Sequence, residues 1–213
     1  MNALPGSALS LPSRPALRVL GGLDLARGRA HEICGPARRL LALLVAAAGA
    51  GPVIWIAPAW EGERLHAPAL ARVIAPARLI FAHPEREGDL LWTLEEVLRS
   101  GAVPLAVAEL PRPPALTPVR RLHLAAGEGG AGGPAPLGLM LTPGEGGARG
   151  VESRWHIAPR HGPDRSLWRI ERRRARTAPP AAFDLRDEGR RWRLVRAAQA
   201  EMPDSAPGSG RTG

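Results

Sequence analysis

The stretch of sequence that decides the fold is Ala30-His31-Glu32-Ile33-Cys34-Gly35-Pro36-Ala37-Arg38-Arg39-Leu40-Leu41. Its first part predicts a short apolar strand, Gly35-Pro36 marks a turn, and the residues after the turn predict a helix. Because the helix begins directly after the turn, the segment predicts a strand–turn–helix unit, which is a building block of α/β proteins.

This turn stands where a phosphate-binding loop would lie, but the residues that such a loop needs are missing. A working loop has a glycine-rich turn whose amides cradle the phosphates, then Lys, then Ser or Thr for Mg²⁺. The chain contains no lysine, and all 29 of its basic residues are arginine. A guanidinium is a planar fork, and so short a loop cannot wrap a triphosphate. The segment therefore predicts a degenerate nucleotide site at Gly35, Pro36, Arg38 and Arg39.

Apolar strands alternate with amphipathic helices in the following hundred residues. Helices are predicted over residues 61–75 and 85–100 and from Thr117, with Thr117 as the cap and Pro118 as the first helical residue. Strands that are apolar on both faces and alternate with helices form a mainly parallel sheet that is covered on both sides. The predicted strands are residues 53–57, 78–82, 104–110 and 137–142.

After Gly150 the pattern changes to an alternation of polar and apolar residues, which predicts an antiparallel C-terminal extension. One predicted hairpin pairs residues 152–157 with 167–172, and a second pairs 183–186 with 191–195. The predicted organisation is a flexible lead (1–15), an α/β domain (16–176), a basic C-terminal extension (177–202) and a disordered tail (203–213).

The net charge of +9 is concentrated in the C-terminal third of the chain. Residues 151–196 hold 13 arginines against 6 acidic residues, whereas residues 1–150 hold 15 against 12. An excess of arginine suits contact with nucleic acid or with an acidic partner. Arg, Ala, Gly and Pro also share GC-rich codons, so genome composition explains the charge equally well, and charge alone does not decide the function.

Several classes of protein are excluded by what the sequence lacks. The single cysteine rules out a disulfide framework, and the six histidines show no i, i+4 pair, so no metal site is predicted. The longest apolar run, residues 40–48, is too short to span a membrane, and the first residues do not resemble an export signal. We therefore expect a cytoplasmic protein. Cys34 is predicted to be a small buried residue, and Glu32 a carboxylate that local backbone amides satisfy.

Three separated stretches resemble the RecA family, in the same order. Residues 23–36 resemble the lead into its phosphate loop, residues 94–109 resemble the helix and strand that carry its magnesium-side acid, and residues 115–118 follow as they do there. Over residues 17–175 the chain most resembles the ImuA proteins, which are RecA-like accessory factors of bacterial damage-induced mutagenesis. The stretches that point to ImuA are residues 52–56, 76–81, 119–122 and 151–155.

The resemblance implies a RecA-like fold of the P-loop-NTPase type and makes Glu109 the magnesium-side acid. The position of the RecA catalytic glutamate falls near Ala59, where this chain has no acid. One of three catalytic elements remains, so we expect neither ATP hydrolysis nor a bound cofactor. The ImuA family works in translesion synthesis with a Y-family-like polymerase subunit and an error-prone replicative polymerase. The implied function is docking to these partners or to RecA, with at most weak DNA contact.

Other functions stay open at this point. A nucleotide-dependent ATPase would use Arg38 or Arg39 in place of lysine and Glu109 to hold Mg²⁺. The ImuA proteins are sometimes labelled SulA-like, and this label alone suggests a cell-division inhibitor. A basic DNA-binding module would use the arginines of the C-terminal part, namely Arg172, Arg173, Arg174, Arg176, Arg190 and Arg191.

Candidate contacts with a partner or with DNA lie in the second half of the chain. The glycine-rich loop 143–150 stands where a DNA-contacting loop of RecA lies, but it offers no aromatic residue for base stacking, and a surface turn is the better prediction. Tryptophans that recur beside arginines form either core or a partner-binding face, and core is preferred. The candidate contact residues are Arg149, Arg154, Trp155, Trp168, Arg169, Arg172, Arg173 and Arg174.

Overall fold

The computed structural model describes residues 15–62, 65–163, 166–189 and 191–197. Residues 1–14 of the predicted flexible lead and the whole predicted tail, 203–213, lie outside the described residues, as does Arg190. Within the described ranges, no helix is long and apolar enough to cross a membrane.

The described part of the chain contains eleven strands and four α-helices, which alternate from residue 30 to residue 142. In order, they are β1 (Ala16–Val19), β2 (Leu23–Ala26), β3 (Ala30–Cys34), α1 (Arg38–Ala48), β4 (Val53–Ile56), α2 (Ala67–Ala71), a 3₁₀ turn (Pro76–Arg78), β5 (Leu79–Ala82), α3 (Glu87–Ser100), β6 (Leu105–Glu109), α4 (Leu116–Glu128), β7 (Leu137–Thr142), β8 (Ser153–Pro159), β9 (Leu167–Ala175), β10 (Ala181–Asp187) and β11 (Trp192–Arg196).

Nine of these strands form one mixed sheet in the order β11-β10-β9-β8-β3-β7-β6-β4-β5. The six strands from β8 to β5 are parallel to their neighbours, whereas β9, β10 and β11 pair antiparallel. The predicted α/β class, the mainly parallel sheet and both C-terminal hairpins are confirmed. The antiparallel strands continue the parallel sheet through the pairing of β8 with β9.

Both faces of the parallel sheet are buried, and alternate residues of each strand serve alternate faces. In β6, Leu105 and Val107 pack into a core shared with α1, α2 and the β1–β2 hairpin, while Ala106 and Ala108 pack into a second core with α3 and α4. This two-sided burial explains why the strands are apolar without alternation in sequence.

The helix α3 forms where its sequence predicts it. Leu90, Leu94 and Leu98 recur every four residues and are fully buried on one face. The helix ends at Gly101, whose left-handed backbone (φ 62°) lets its N–H bond to the carbonyl of Leu98. Local sequence and tertiary packing therefore agree over this element.

Two helix predictions are wrong in detail, and one hairpin was missed. The helix predicted over 61–75 is reduced in the described residues to α2, with Pro68 in its first turn. Thr117 does not cap α4, because the helix begins at Leu116 and Ala115 is its N-cap; Pro118 then falls in the first turn, where its missing N–H costs no helical bond. The antiparallel pair β1–β2 lies in a stretch for which no strand was predicted.

Candidate functional site: a self-satisfied corner at the carboxyl edge of the sheet

The strand-to-helix corner is closed by the neighbouring strand β8. Only Gly35, Pro36 and Ala37 separate β3 from α1, and Gly35 has a φ of 94°. A side-chain Cβ at Gly35 would lie 2.4 Å from the carbonyl oxygen of Ile157 and 2.9 Å from the ring of His156. Glycine is therefore needed here for close approach of β8 as well as for its backbone conformation.

No free backbone amide is offered by Pro36, Ala37 or Arg38 of the corner. Pro36 has no N–H, the N–H of Ala37 donates to the carbonyl of Ile157 (3.3 Å), and the N–H of Arg38 donates to the carbonyl of Gly35 (3.3 Å). Phosphate binding at a helix N-terminus requires several amides that point at the ligand. This corner provides no such cradle among the amides whose bonds are described.

The carboxylate of Glu109 lies opposite the corner and is held by two other elements. Glu109 ends β6 on the side of the sheet that α1 covers, and its side chain is only 6% exposed. Arg39 of α1 donates to its Oε2 through Nε (2.8 Å) and Nη2 (2.7 Å). The indole Nε1 of Trp55 on β4 donates to its Oε1 (2.8 Å). Both carboxylate oxygens thus accept hydrogen bonds from within the protein.

The ion pair joins two of the predicted nucleotide-site residues, Arg39 and Glu109, and each occupies the group that the other would need to bind a nucleotide. Arg39, which could have stood in for a phosphate-binding lysine, neutralises the very acid that could have held Mg²⁺. A divalent cation at Glu109 would have to displace the arginine from a site that water barely reaches. Arg38 is also placed at the corner, where its Nη1 makes a long contact (3.4 Å) with the carbonyl of Gly35 and its buried Nε has no partner in the described structure.

A second buried carboxylate, Glu32, fixes the glycine-rich loop 143–150. It is fully buried on β3 and accepts hydrogen bonds from Thr142 Oγ1 (2.7 Å), from the amides of Gly147 (2.8 Å) and Ala148 (3.1 Å), and from Arg154 Nε. Amides do satisfy Glu32, as predicted, but they come from a loop more than a hundred residues away rather than from its own strand. The loop is a turn that hydrogen bonds to Glu32 hold in place.

The tryptophans and arginines of the C-terminal strands have unequal roles. Trp155 is buried in the core, where its Nε1 donates to Ser153 Oγ (2.8 Å) and the guanidinium of Arg172 lies 5.5 Å from its ring centre, so the preference for core is confirmed for this residue. Trp168 is half-buried and packs on Trp192 with ring centres 5.3 Å apart. Trp155 is therefore out of reach of a partner, whereas Trp168 keeps part of its surface exposed.

Most of the candidate arginines are engaged within the protein. Arg154 binds Glu32, Arg169 binds Asp184 (3.0 Å), and Arg173 binds both Glu145 and Glu171. The side chains of Arg149 and Arg174 are exposed and have no hydrogen bond or ion pair within the described ranges. Only these two of the candidate contacts are fully available to a ligand.

The thiol of Cys34 is buried and unreactive. Burial and, next, the charge of Glu32 raise its pKa to about 12, so the thiol stays protonated at neutral pH. The prediction of a small buried residue is confirmed.

No pattern in the sequence indicates the hydrogen bond between His31 Nδ1 and Ser153 Oγ (2.7 Å). Both side chains are buried, the second ring nitrogen of His31 contacts the carbonyl of Ala26 (3.0 Å), and burial lowers the pKa of His31 to about 4. Since no substrate can reach this pair, it stabilises the fold rather than providing a nucleophile.

Comparison with known proteins adds no relative. No protein-family model matches the chain, and no curated protein is significantly similar to it. The described residues contain no group of three His, Cys, Asp or Glu side chains that could hold a metal ion. The geometry of the corner and the surface of the fold are therefore the basis for a functional conclusion.

Proposed function

We propose that this protein is a non-catalytic, RecA-like accessory factor of the ImuA type, which acts in the bacterial response to DNA damage by docking to other proteins in the cytoplasm. The observation that carries the proposal is the buried ion pair of Arg39 with Glu109 at a corner that lacks a phosphate cradle. A strand–turn–helix unit lies at the centre of a parallel sheet, where nucleotides commonly bind, yet its charged groups satisfy one another.

The RecA-like assignment is supported by the placement of the two degenerate elements. The turn after β3 and the acid at the end of β6 share the carboxyl edge of the sheet, which is the edge where α/β proteins bind ligands. A former nucleotide site would keep the strands and helix of this edge while losing phosphate binding at the turn and magnesium binding at the acid.

The sheet edge formed by β5 supports a docking function. Ile80 and Phe81 of this edge strand are 52% and 45% exposed. The N–H of Ala59 donates to the carbonyl of Pro84 (3.0 Å), just beyond the end of β5, and the next residue, Trp60, is 49% exposed. We call Trp60, Ile80 and Phe81 the β5 edge patch. The strand carries no charge, whereas the opposite edge strand, β11, carries arginines that oppose strand pairing. An uncharged edge with exposed large side chains suits pairing with an extended segment of a polymerase partner.

A binding experiment with purified proteins tests the docking proposal. The chain is expected to retain the Y-family-like polymerase subunit, the error-prone replicative polymerase or RecA, and Phe81→Glu should weaken retention by about tenfold or more. Trp92→Glu is the matched control, because Trp92 is 58% exposed but belongs to α3 rather than to the edge strand. No association with any of the three proteins, or equal effects of the two variants, would contradict the proposal.

Calorimetry with ATP and Mg²⁺ separates this function from the ATPase alternative. We expect no heat of ATP binding, because the carboxylate of Glu109 is already paired with Arg39. Tight binding that Glu109→Gln abolishes would instead identify a nucleotide-dependent protein.

Of the arginines assigned to the DNA-binding alternative, Arg174 and Arg191 are exposed and have no ion pair within the described ranges. This alternative predicts an affinity for DNA that falls steeply with salt, whereas we expect weak or no binding.

A further inference from the structure

A cluster of arginines lies at the amino-terminal edge of the sheet, at the opposite end of β3 from the corner. There a cavity of about 320 Å³ is lined by Arg29, Arg120, His123, Leu124, Glu152 and Arg176, and we call it the basal arginine pocket. Its residues come from four segments that the sheet draws together. The N–H of Glu152 donates to the carbonyl of Ala30 (3.0 Å), and the N–H of Arg176 donates to the carbonyl of Glu152 (3.1 Å).

Three guanidinium groups in this pocket face a single carboxylate. Glu152 lies 3.6 Å from the Nε of both Arg29 and Arg176, so its carboxylate offsets part of their positive charge. Arg120 is exposed and has no hydrogen bond or ion pair with any described residue. The lining side chains therefore carry a net positive charge, and the exposed Arg120 and Arg176 bring guanidinium donors that an incoming anion can use.

His123 forms a neutral wall of the pocket. Its Nδ1 accepts a hydrogen bond from the N–H of Ala30 (3.2 Å), so its other nitrogen carries the proton and faces the carbonyl of Gly150 (3.0 Å). Burial, the largest cause, lowers the pKa of His123. The positive charge of the pocket thus comes from arginine alone and persists at neutral and alkaline pH.

We propose that the basal arginine pocket binds a dianionic phosphate group. Arginine forks match the oxygen geometry of phosphate, and three arginines set against one glutamate balance two negative charges, whereas a carboxylate ligand would supply one. The cavity lies at the small end of the range for ligand sites and accommodates a phosphate with a sugar-sized substituent. Two sources share this chemistry: a small phosphomonoester and the terminal phosphate of a nucleic acid strand.

Calorimetry of the full chain with inorganic phosphate at pH 7.5 and low salt tests the pocket. We expect saturable binding that the double variant Arg120→Gln/Arg176→Gln weakens by about tenfold or more, because two charged donors are lost. The double variant Arg86→Gln/Arg160→Gln is the matched control, since it removes the same charge from exposed arginines outside the pocket. Absence of phosphate binding, or equal weakening in both double variants, would overturn the proposal.

A variant with the opposite effect keeps the test independent of folding defects. Glu152→Gln removes the one negative charge and should tighten phosphate binding by about three- to tenfold. Unchanged or weaker binding by this variant, with a thermal unfolding curve like that of the wild type, would contradict the electrostatic account.

Oligonucleotides distinguish the two sources of phosphate. Fluorescence anisotropy should show stronger binding of a 5′-phosphorylated single strand than of its 5′-hydroxyl counterpart if the ligand is a strand end, and this preference should vanish in Arg120→Gln/Arg176→Gln. Binding of inorganic phosphate without any preference among oligonucleotides assigns the pocket to small phosphomonoesters. The pocket lies apart from the degenerate nucleotide site, so neither result depends on the proposed docking function.

Discussion

Breaking the ion pair at the corner gives the sharpest test of the site. The variant Arg39→Met keeps the aliphatic part of the side chain but removes both donors to Glu109 Oε2, leaving a 6% exposed carboxylate with the indole of Trp55 as its described partner. Loss of one member of a buried pair costs about 3–5 kcal/mol of unfolding free energy. Because the Arg39 side chain is 22% exposed, we expect the lower end of this range, about 3 kcal/mol.

The double variant separates the pair from the rest of the corner. Glu109→Gln keeps an acceptor for Trp55 and leaves Arg39 partly in water, so it should cost about 1 kcal/mol, and adding Arg39→Met should cost little more. The two single variants together cost about 4 kcal/mol and the double variant little more than about 1, so the coupling energy between the two positions is about 3 kcal/mol.

Urea denaturation followed by tryptophan fluorescence measures these free energies. Arg38→Met is the matched control, since Arg38 makes one long contact, and it should change stability by less than about 0.5 kcal/mol. A cost below about 1 kcal/mol for Arg39→Met, or no coupling with Glu109→Gln, would refute the claim that the two residues satisfy each other.

Three further predictions concern His31, Gly35 and Glu32. His31 has a pKa of about 4 when folded and 6.5 when unfolded, so the unfolded chain takes up a proton first as pH falls. Between pH 7.5 and 4.5, urea titrations should therefore show the wild type losing about 2.5 kcal/mol more stability than His31→Gln, and equal losses would contradict this account. Gly35→Ala should cost about 3 kcal/mol in the same assay, because its methyl group meets the carbonyl of Ile157 at 2.4 Å, and a cost within error would show that β8 can yield. Glu32→Gln removes the negative charge that accepts hydrogen bonds from four donors and should loosen the loop 143–150. Hydrogen exchange at the amides of Gly147 and Ala148 should then become faster by about tenfold or more. Unchanged protection would mean that Arg154 or Thr142 alone holds the loop.

Elements with strong local patterns were predictable from the sequence. The strand β7 matches its predicted bounds, and α3 differs from its prediction by two residues at its start, because continuous apolar runs and i, i+4 leucines specify burial through backbone geometry alone. The predicted turn at Gly35-Pro36 and the immediate start of a helix are confirmed for the same reason. Where prolines and alanines dilute the pattern, as before β5, the predicted helix was too long.

The sequence by itself determined that this is an α/β chain with a short turn at Gly35-Pro36 before a helix and with no lysine, because these features depend on composition and on residues close together along the chain. Only the tertiary structure decided which charges meet. Arg39 and Glu109 are 70 residues apart, Glu32 and Ala148 are 116 apart, and the basal arginine pocket draws on four separate segments. Such pairs depend on the order of strands in the sheet and on the face that each residue occupies, and no local periodicity encodes either.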